Sequence, residues 1–198
     1  MSELGAALPL PVADDAALAR LARRRSAPAQ ALGAPGPDAR QLARLLEVAA
    51  RTPDHGKLFP WRFVIIEGHA KARLVERLRL LAADQPDPAK AANVLSKLAS
   101  PPVTILVVSR VTEGHKVPVW EQQLSAGAVC MNLEHAADAM GFSTSWITDW
   151  YSYDPRALAL LGLTVGEKVA GFVHIGTMAE PPLERARPVM SEITSRLD

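Results

Sequence analysis

The chain is short of the residues that mark several common chemistries. Cys130 is the only cysteine among 198 residues, so no disulfide can close within the chain and no multi-cysteine zinc site can form. Its surroundings, AGAVCMNL, are apolar and hold no activating partner, so a buried core thiol is expected. The five histidines, His55, His69, His115, His135 and His174, have no HExxH spacing, which removes the signature of a helical metallohydrolase site. Net charge is slight: 22 Lys and Arg against 21 Asp and Glu give +1. Arg23–Arg25 form a local basic patch, but no aromatic ladder or zinc-finger spacing accompanies it, so no nucleic-acid partner is expected. There is no long uncharged hydrophobic run and no signal-peptide pattern at the N-terminus. No membrane span is expected, and a soluble, reducing compartment is the expected location, the cytoplasm if the organism is bacterial. No GxGxxG follows the first strand pattern, against the usual dinucleotide-binding fingerprint, and no internal repeat is found.

What is present is enough apolar material, 48% of residues, for one domain spanning 1–198. Asp14 or Asp15 can cap a helix running to Arg24, with Leu18 and Leu21 on one stripe. Prolines and glycines make residues 26–37 a loop. Helix resumes over 38–51 with Leu42, Leu45, Leu46 and Ala49 inward. RFVIIE (62–67) reads as a strand, 69–83 as an amphipathic helix, and 83–90 as a surface turn before another short helix. VTILVVS (103–109) carries β-branched residues on both faces, as an interior strand should. The longest helical pattern is 119–141. Ala126, Val129, Cys130, Leu133, Ala137 and Met140 make one apolar side and Leu124, Ala128 and Met131 much of another, so it needs two partners. FSTSWITDW is strand and turn, DPRALALLG a short helix, and VAGFVHIG (169–176) a strand. The proline- and arginine-rich tail is expected to lie over a surface. Strands separated by helices indicate α/β or α+β layering.

RTPDHGKLFPWRFVIIEG, residues 51–68, places Arg51, His55 and Lys57 where the pattern changes from helix to strand. A plain connection needs little more than glycine or proline. Polar, cationic and aromatic residues at such a point suggest a ligand site, although a lone histidine in a loop is ordinarily a surface residue.

In order along the chain stand RRS (24–26), PDH (53–55) followed by PWRFVIIEG, HKVPVWEQ (115–122), GFSTSWIT (141–148), GFVHIGT (171–177) and ARP (186–188). With these motifs the sequence resembles the compact, single-domain members of the nitroreductase family of flavoproteins. The resemblance implies an α+β fold with a mixed β-sheet flanked by helices. It also implies an obligate homodimer with FMN at two composite sites between subunits, and helix 119–141 near the interface. NADH or NADPH would be the reductant, and nitroaromatics, quinones or related small molecules the acceptors, in a ping-pong cycle. The chemistry would be carried by FMN N5, so no catalytic side chain is named. A flavin-binding or ligand-sensing dimer without enzymatic activity is the alternative.

The same resemblance assigns roles. Arg24, Arg25 and Ser26 would meet the FMN phosphate, with Arg24 as its main anchor, and Arg187 would add a C-terminal contact for which Arg185 competes. Arg51 and His55 would come from the opposite subunit, while Asp54 fixes the turn. Trp146, Ile147 and Thr148 would lie beside the isoalloxazine ring, with Trp146 as a core aromatic the competing reading. Ala136, Ala137, Asp138, Ala139, Met140 and Gly141 would approach the nicotinamide cofactor. Two departures stand out: Pro28 replaces a basic residue common among relatives, and Lys57–Leu58–Phe59–Pro60 replaces an Asn–x–Gln–Pro entry. Positive charge near flavin N1 would then fall to Lys57 or Arg51.

Overall fold

The computed structural model describes residues 4–197, and its centre is the strand with the most continuous apolar run. β2 (Val103–Ser109) is buried at every position. It lies between β1 (Trp61–Glu67) and β4 (Lys168–Gly176), and β3 (Ser143–Ile147) closes the far edge in the order β1-β2-β4-β3. Every pairing is antiparallel, which corrects the expected mixed sheet to an antiparallel one within this chain. The connections explain it. Residues 68–102 leave the end of β1 and return at that same end, with Glu67 opposite Val103, so neighbouring strands run in opposite senses.

Alternation along the strands divides the core in two. Val103, Ile105, Val107, Val173 and Ile175 face α2 (Ala39–Ala49) and α6 (Val119–Ala139), where Leu42, Leu45, Val129, Cys130 and Leu133 cover them. Leu106, Val108 and Phe172 face the other way. They meet α3 (Gly68–Ala82), α5 (Ser96–Ala99) and α7 (Pro155–Leu160) through Val75, Leu78, Leu98 and Ala157. α4 (Pro88–Asn93) completes the connection between α3 and α5. Cys130 is the buried core thiol expected from its neighbours, and burial pushes its pKa up to about 12.

Caps fix the helix starts. Asp14 caps α1 (Asp15–Ala22), and Asp38 with Gln41 forms a reciprocal capping box on α2. α1 ends before Arg24, and Leu18 and Leu21 are exposed, so their stripe finds no cover among the described residues. Leu46 is only partly buried. The 26–37 loop holds a short 3-10 turn (Ala29–Ala31) and buries Ala27, Ala29 and Leu32, because Ala27 N–H donates to Thr144 O of β3 and Gly33 bridges Thr177. α6 is apolar on both sides as expected: Trp120 and Leu124 stay exposed opposite the core face. Residues 179–197 are exposed throughout, including α8 (Met190–Ile193). Among the described residues, no helix is long and apolar enough to cross a membrane, and no cluster of side chains could hold a metal ion.

One polar row runs through the second core layer. Buried Lys71 donates from Nζ to Pro101 O and to Thr104 Oγ1 (3.0 Å), and Thr104 Oγ1 lies 2.9 Å from Nδ1 of fully buried His174. Burial, with the positive charges of Lys71 and Lys97 nearby, pushes the His174 pKa down to about 3. The folded protein therefore keeps His174 neutral while the unfolded chain protonates it near its ordinary value, so this contribution to stability is complete above about pH 6.5 and is lost as pH falls toward 3. Urea titrations at several pH values should show His174→Phe losing less stability than wild type over that window. Equal slopes would remove His174 from the acid response.

Candidate functional site

A cavity of about 490 Å³, within the usual range for small-molecule sites, opens beside the end of β3. β3 is an edge strand bonded on one side to β4. The alternation that turns Thr144 O outward to Ala27 N turns the backbone groups of Trp146 and Thr148 to the same edge. Facing them are the Arg25–Gln30 segment, Lys97 from α5 and Arg185 from the tail. The lining thus carries three cations and no carboxylate, with hydroxyls from Ser26, Ser145 and Thr148. Such a surface suits an anion extended by hydroxyl groups.

Local contacts hold these groups. Arg25 donates to Leu183 O (2.9 Å) and Ser26 O (3.1 Å), tying the tail to the loop after α1. Lys97 Nζ donates to Asp149 Oδ2 (2.9 Å), and Asp149 caps the 3-10 turn Trp150–Ser152 that follows β3. This ion pair fastens one wall to the other. Ile147 pairs with Phe172 toward the α3 side, whereas Trp146 turns toward α6. There its indole donates to Ala170 O (3.2 Å) and lies over Gly171, where an added Cβ would sit 1.9 Å from Nε1. The indole is packed into the first core layer, and Trp146 reaches the cavity edge through its position on β3.

Arg24 is half-buried just outside this lining. Its Nη1 donates to Ser26 Oγ (3.2 Å) and lies 3.9 Å from Oε2 of buried Glu134, in a smaller depression of about 200 Å³ shared with Arg23, Arg25 and Asp138. Arg24 therefore orients the Ser26 hydroxyl. Arg185 lines the cavity, and Arg187 instead donates to Arg24 O and Glu184. The 136–141 segment does not enter the cavity wall. Ala136 and Ala137 are buried in the core, Asp138 pairs with Arg20 (3.6 Å), and Met140 packs on the core beside exposed Ala139 and Gly141. Lys97 was not singled out from the sequence: a lone lysine before a proline pair has no distinguishing spacing.

The 51–60 turn lies elsewhere. It leads into β1, at the opposite edge of the sheet from β3, and none of its residues lines the cavity. Its base is bolted to α6: Asn132 donates to Thr52 Oγ1 (2.7 Å), and Ser125 donates to Pro53 O (2.8 Å) while accepting from Trp61 Nε1 (3.2 Å). Exposed His55 has Nδ1 2.6 Å from Glu121 Oε2. Arg51 lines a separate groove of about 590 Å³ between Leu8–Pro9 and α2. Asp54 accepts from Phe59 N–H, as its turn-fixing role required, and Lys57 is exposed with a left-handed backbone (φ 55°).

Comparison with known proteins adds to this geometry. Residues 21–177 match the model of the Nitroreductase family. The Escherichia coli (strain K12) protein named "Putative NAD(P)H nitroreductase YdjA" is 37% identical over 165 residues, 81% of this chain and 87% of its own. A Haemophilus influenzae relative is 34% identical over 163 residues, covering 80% and 87%. The nitroreductase-like family protein of Bacillus cereus superposes with a TM-score of 0.80 at 23% identity, over 96% of this chain and 99% of that one. A Bacteroides fragilis nitroreductase solved with bound FMN gives 0.70 at 21% identity, over 92% and 99%. At these identities the two structures speak for the fold.

Proposed function

Because the chain belongs to the nitroreductase family, we propose that it is a cytoplasmic, FMN-dependent enzyme that uses NADH or NADPH to reduce nitroaromatic, quinone or related small acceptors. Each chain is one FMN-binding domain, two copies form the working unit, and reductant and acceptor take turns in a ping-pong order. The observation that carries this reading is the cavity at β3, lined by three cations, three hydroxyls and the outer edge of β3. Those groups fit FMN. Arg25, Lys97 and Arg185 would hold the phosphate, Ser26 and Thr148 the ribityl hydroxyls, and the outward backbone of Trp146 and Thr148 the ring edge. Arg24 would set the Ser26 hydroxyl, and Arg187 would set Arg24. Bound FMN supplies hydride acceptance and return. The protein's share is to bind, orient and cover.

Arg51 and His55 support the two-copy arrangement by where they are. The turn that bears them leads into β1, at the opposite sheet edge from its own cavity, and the exposed side of α6 with Trp120 and Leu124 offers an apolar face for a second copy. The test is purification, cofactor extraction and anaerobic addition of NADH or NADPH. FMN that bleaches, and recolours when a nitroaromatic or quinone is added, is the expected result. FMN that stays oxidised would make this a flavin-binding dimer without turnover, and failure to retain added FMN would remove the reading altogether.

A further inference from the structure

The hydrogens of the buried polar row in the second core layer run one way. The Lys71 ammonium is a donor only, so Thr104 Oγ1 accepts from it. Thr104 is fully buried, and among the described residues the other partner of its hydroxyl is His174 Nδ1 at 2.9 Å. The hydroxyl hydrogen therefore goes to Nδ1. Burial, with Lys71 and Lys97 nearby, keeps the imidazole neutral. With Nδ1 accepting, its one proton sits on Nε2. The row is a chain of donors headed by a cation, and each bond polarises the next.

The chain ends on an open donor. Nε2 is buried and makes no hydrogen bond among the described residues, and a buried N–H without an acceptor is costly. Nδ1 reaches back toward β2, so Nε2 lies on the other side of the ring. Cross-strand pairing continues the row that way: Thr104 of β2 stands opposite His174 of β4, and His174 opposite Ser145 of β3. These three share one face of the sheet, where directly opposite side chains are neighbours. Ser145 is only 3% exposed, yet it lines the cavity. It stands where the row meets the cavity. Tyr151 Oη is the other buried polar atom without a partner, but Tyr151 is not part of this row.

We propose that His174 is a positioning residue for the cavity: it donates from Nε2 to Ser145 Oγ, so that the Ser145 hydroxyl hydrogen turns outward to an acceptor oxygen of the bound flavin. A serine hydroxyl left to itself can donate or accept. One that already accepts from a buried N–H is fixed as a donor, and its rotation is stilled before the ligand arrives. This rests on the FMN-dependent reading above, and His174 itself touches neither flavin nor substrate.

The first measurement needs no flavin. Nitrogen NMR of the apoprotein with labelled histidine, near neutral pH, should show His174 protonated on Nε2 and bare on Nδ1. A proton on Nδ1 would reverse the row and overturn the proposal. FMN is then titrated into wild type, Ser145→Ala, His174→Phe, His174→Gln, Tyr151→Phe and the Ser145→Ala/His174→Phe pair. The Nε2–H signal should move when FMN binds wild type, and stay still when it binds Ser145→Ala. FMN affinity should fall roughly three- to tenfold in Ser145→Ala and about two- to fivefold in His174→Phe. The paired variant should bind no worse than Ser145→Ala, because His174 acts only through that hydroxyl. His174→Gln keeps an N–H donor near the same place and should bind better than His174→Phe. Additive losses, or an Nε2–H signal that FMN leaves unmoved in wild type, would overturn the proposal. So would Tyr151→Phe weakening FMN as much as His174→Phe, since the donor would then belong to Tyr151. The NMR and Ser145→Ala results decide the matter even where His174→Phe fails to fold. Wild type with the stated tautomer but no affinity for FMN would instead defeat the functional reading, and this use of the row with it.

Discussion

Gly171→Val is expected to destabilise the fold by about 3–5 kcal/mol, a large share of the roughly 5–15 kcal/mol that holds an ordinary domain together. Valine is otherwise favourable in a strand, so propensity alone would expect the opposite sign. The cost comes from Trp146. A Cβ at position 171 would sit 1.9 Å from its Nε1 and 2.3 Å from its Cδ1, and the indole also reaches Gly127 of α6. There is no room for a small adjustment between helix and sheet. The ring must leave, which forfeits its bond to Ala170 O and its packing on the α6 layer. Urea denaturation checks this, with the lost stability read from the midpoint at constant slope. Trp146→Ala/Gly171→Val should cost far less than the sum of the two single changes, because each removes one partner of the same contact. A near-neutral Gly171→Val, or strict additivity, would refute the steric account.

How much of this was legible beforehand differs by element. The span of β2 was readable to the residue, because a strand buried on both faces is apolar throughout and its ends fall at Pro102 and Arg110. α2 and α6 were readable from spacing and caps, and Cys130 from its apolar neighbours. The sheet's sense was not, because strand composition does not say at which end a 35-residue connection returns. Lys71 and His174 were also hidden. A lysine in an amphipathic helix reads as solvated, and only the fold brings Pro101 O and Thr104 Oγ1 within reach. In the site, the ordered motifs named Arg25, Ser26 and the 146–148 segment, which line one cavity. They did not say that Arg24 would turn to Glu134, that Arg185 and not Arg187 would face the cavity, or that Lys97 would join them. Those are side-chain directions set by contacts distant in sequence. The left-handed Phe59 was likewise invisible, since Lys57–Leu58–Phe59–Pro60 contains no glycine to mark a positive φ.

The proposal that matters most is that the two halves of the site come from different chains. Arg25 and Arg185 line the cavity at the β3 edge, and Arg51 and His55 sit on the turn at the β1 edge. A loss of two or more charge-assisted hydrogen bonds, each worth about 1.5–3 kcal/mol, should weaken FMN binding about a hundredfold or more. Both pairs are partly or largely exposed, so substituting them should leave the fold intact. The most direct measurement is FMN titration of a mixed dimer in which one subunit carries Arg25→Ala and Arg185→Ala and the other carries Arg51→Ala and His55→Ala. If the site is composite, one cavity collects all four defects and the other is assembled wholly from native parts. The expected titration therefore shows one site of near-wild-type affinity per dimer and one that barely binds. Two sites weakened alike or to intermediate degrees, each lacking only its own chain's contacts, would contradict the composite site.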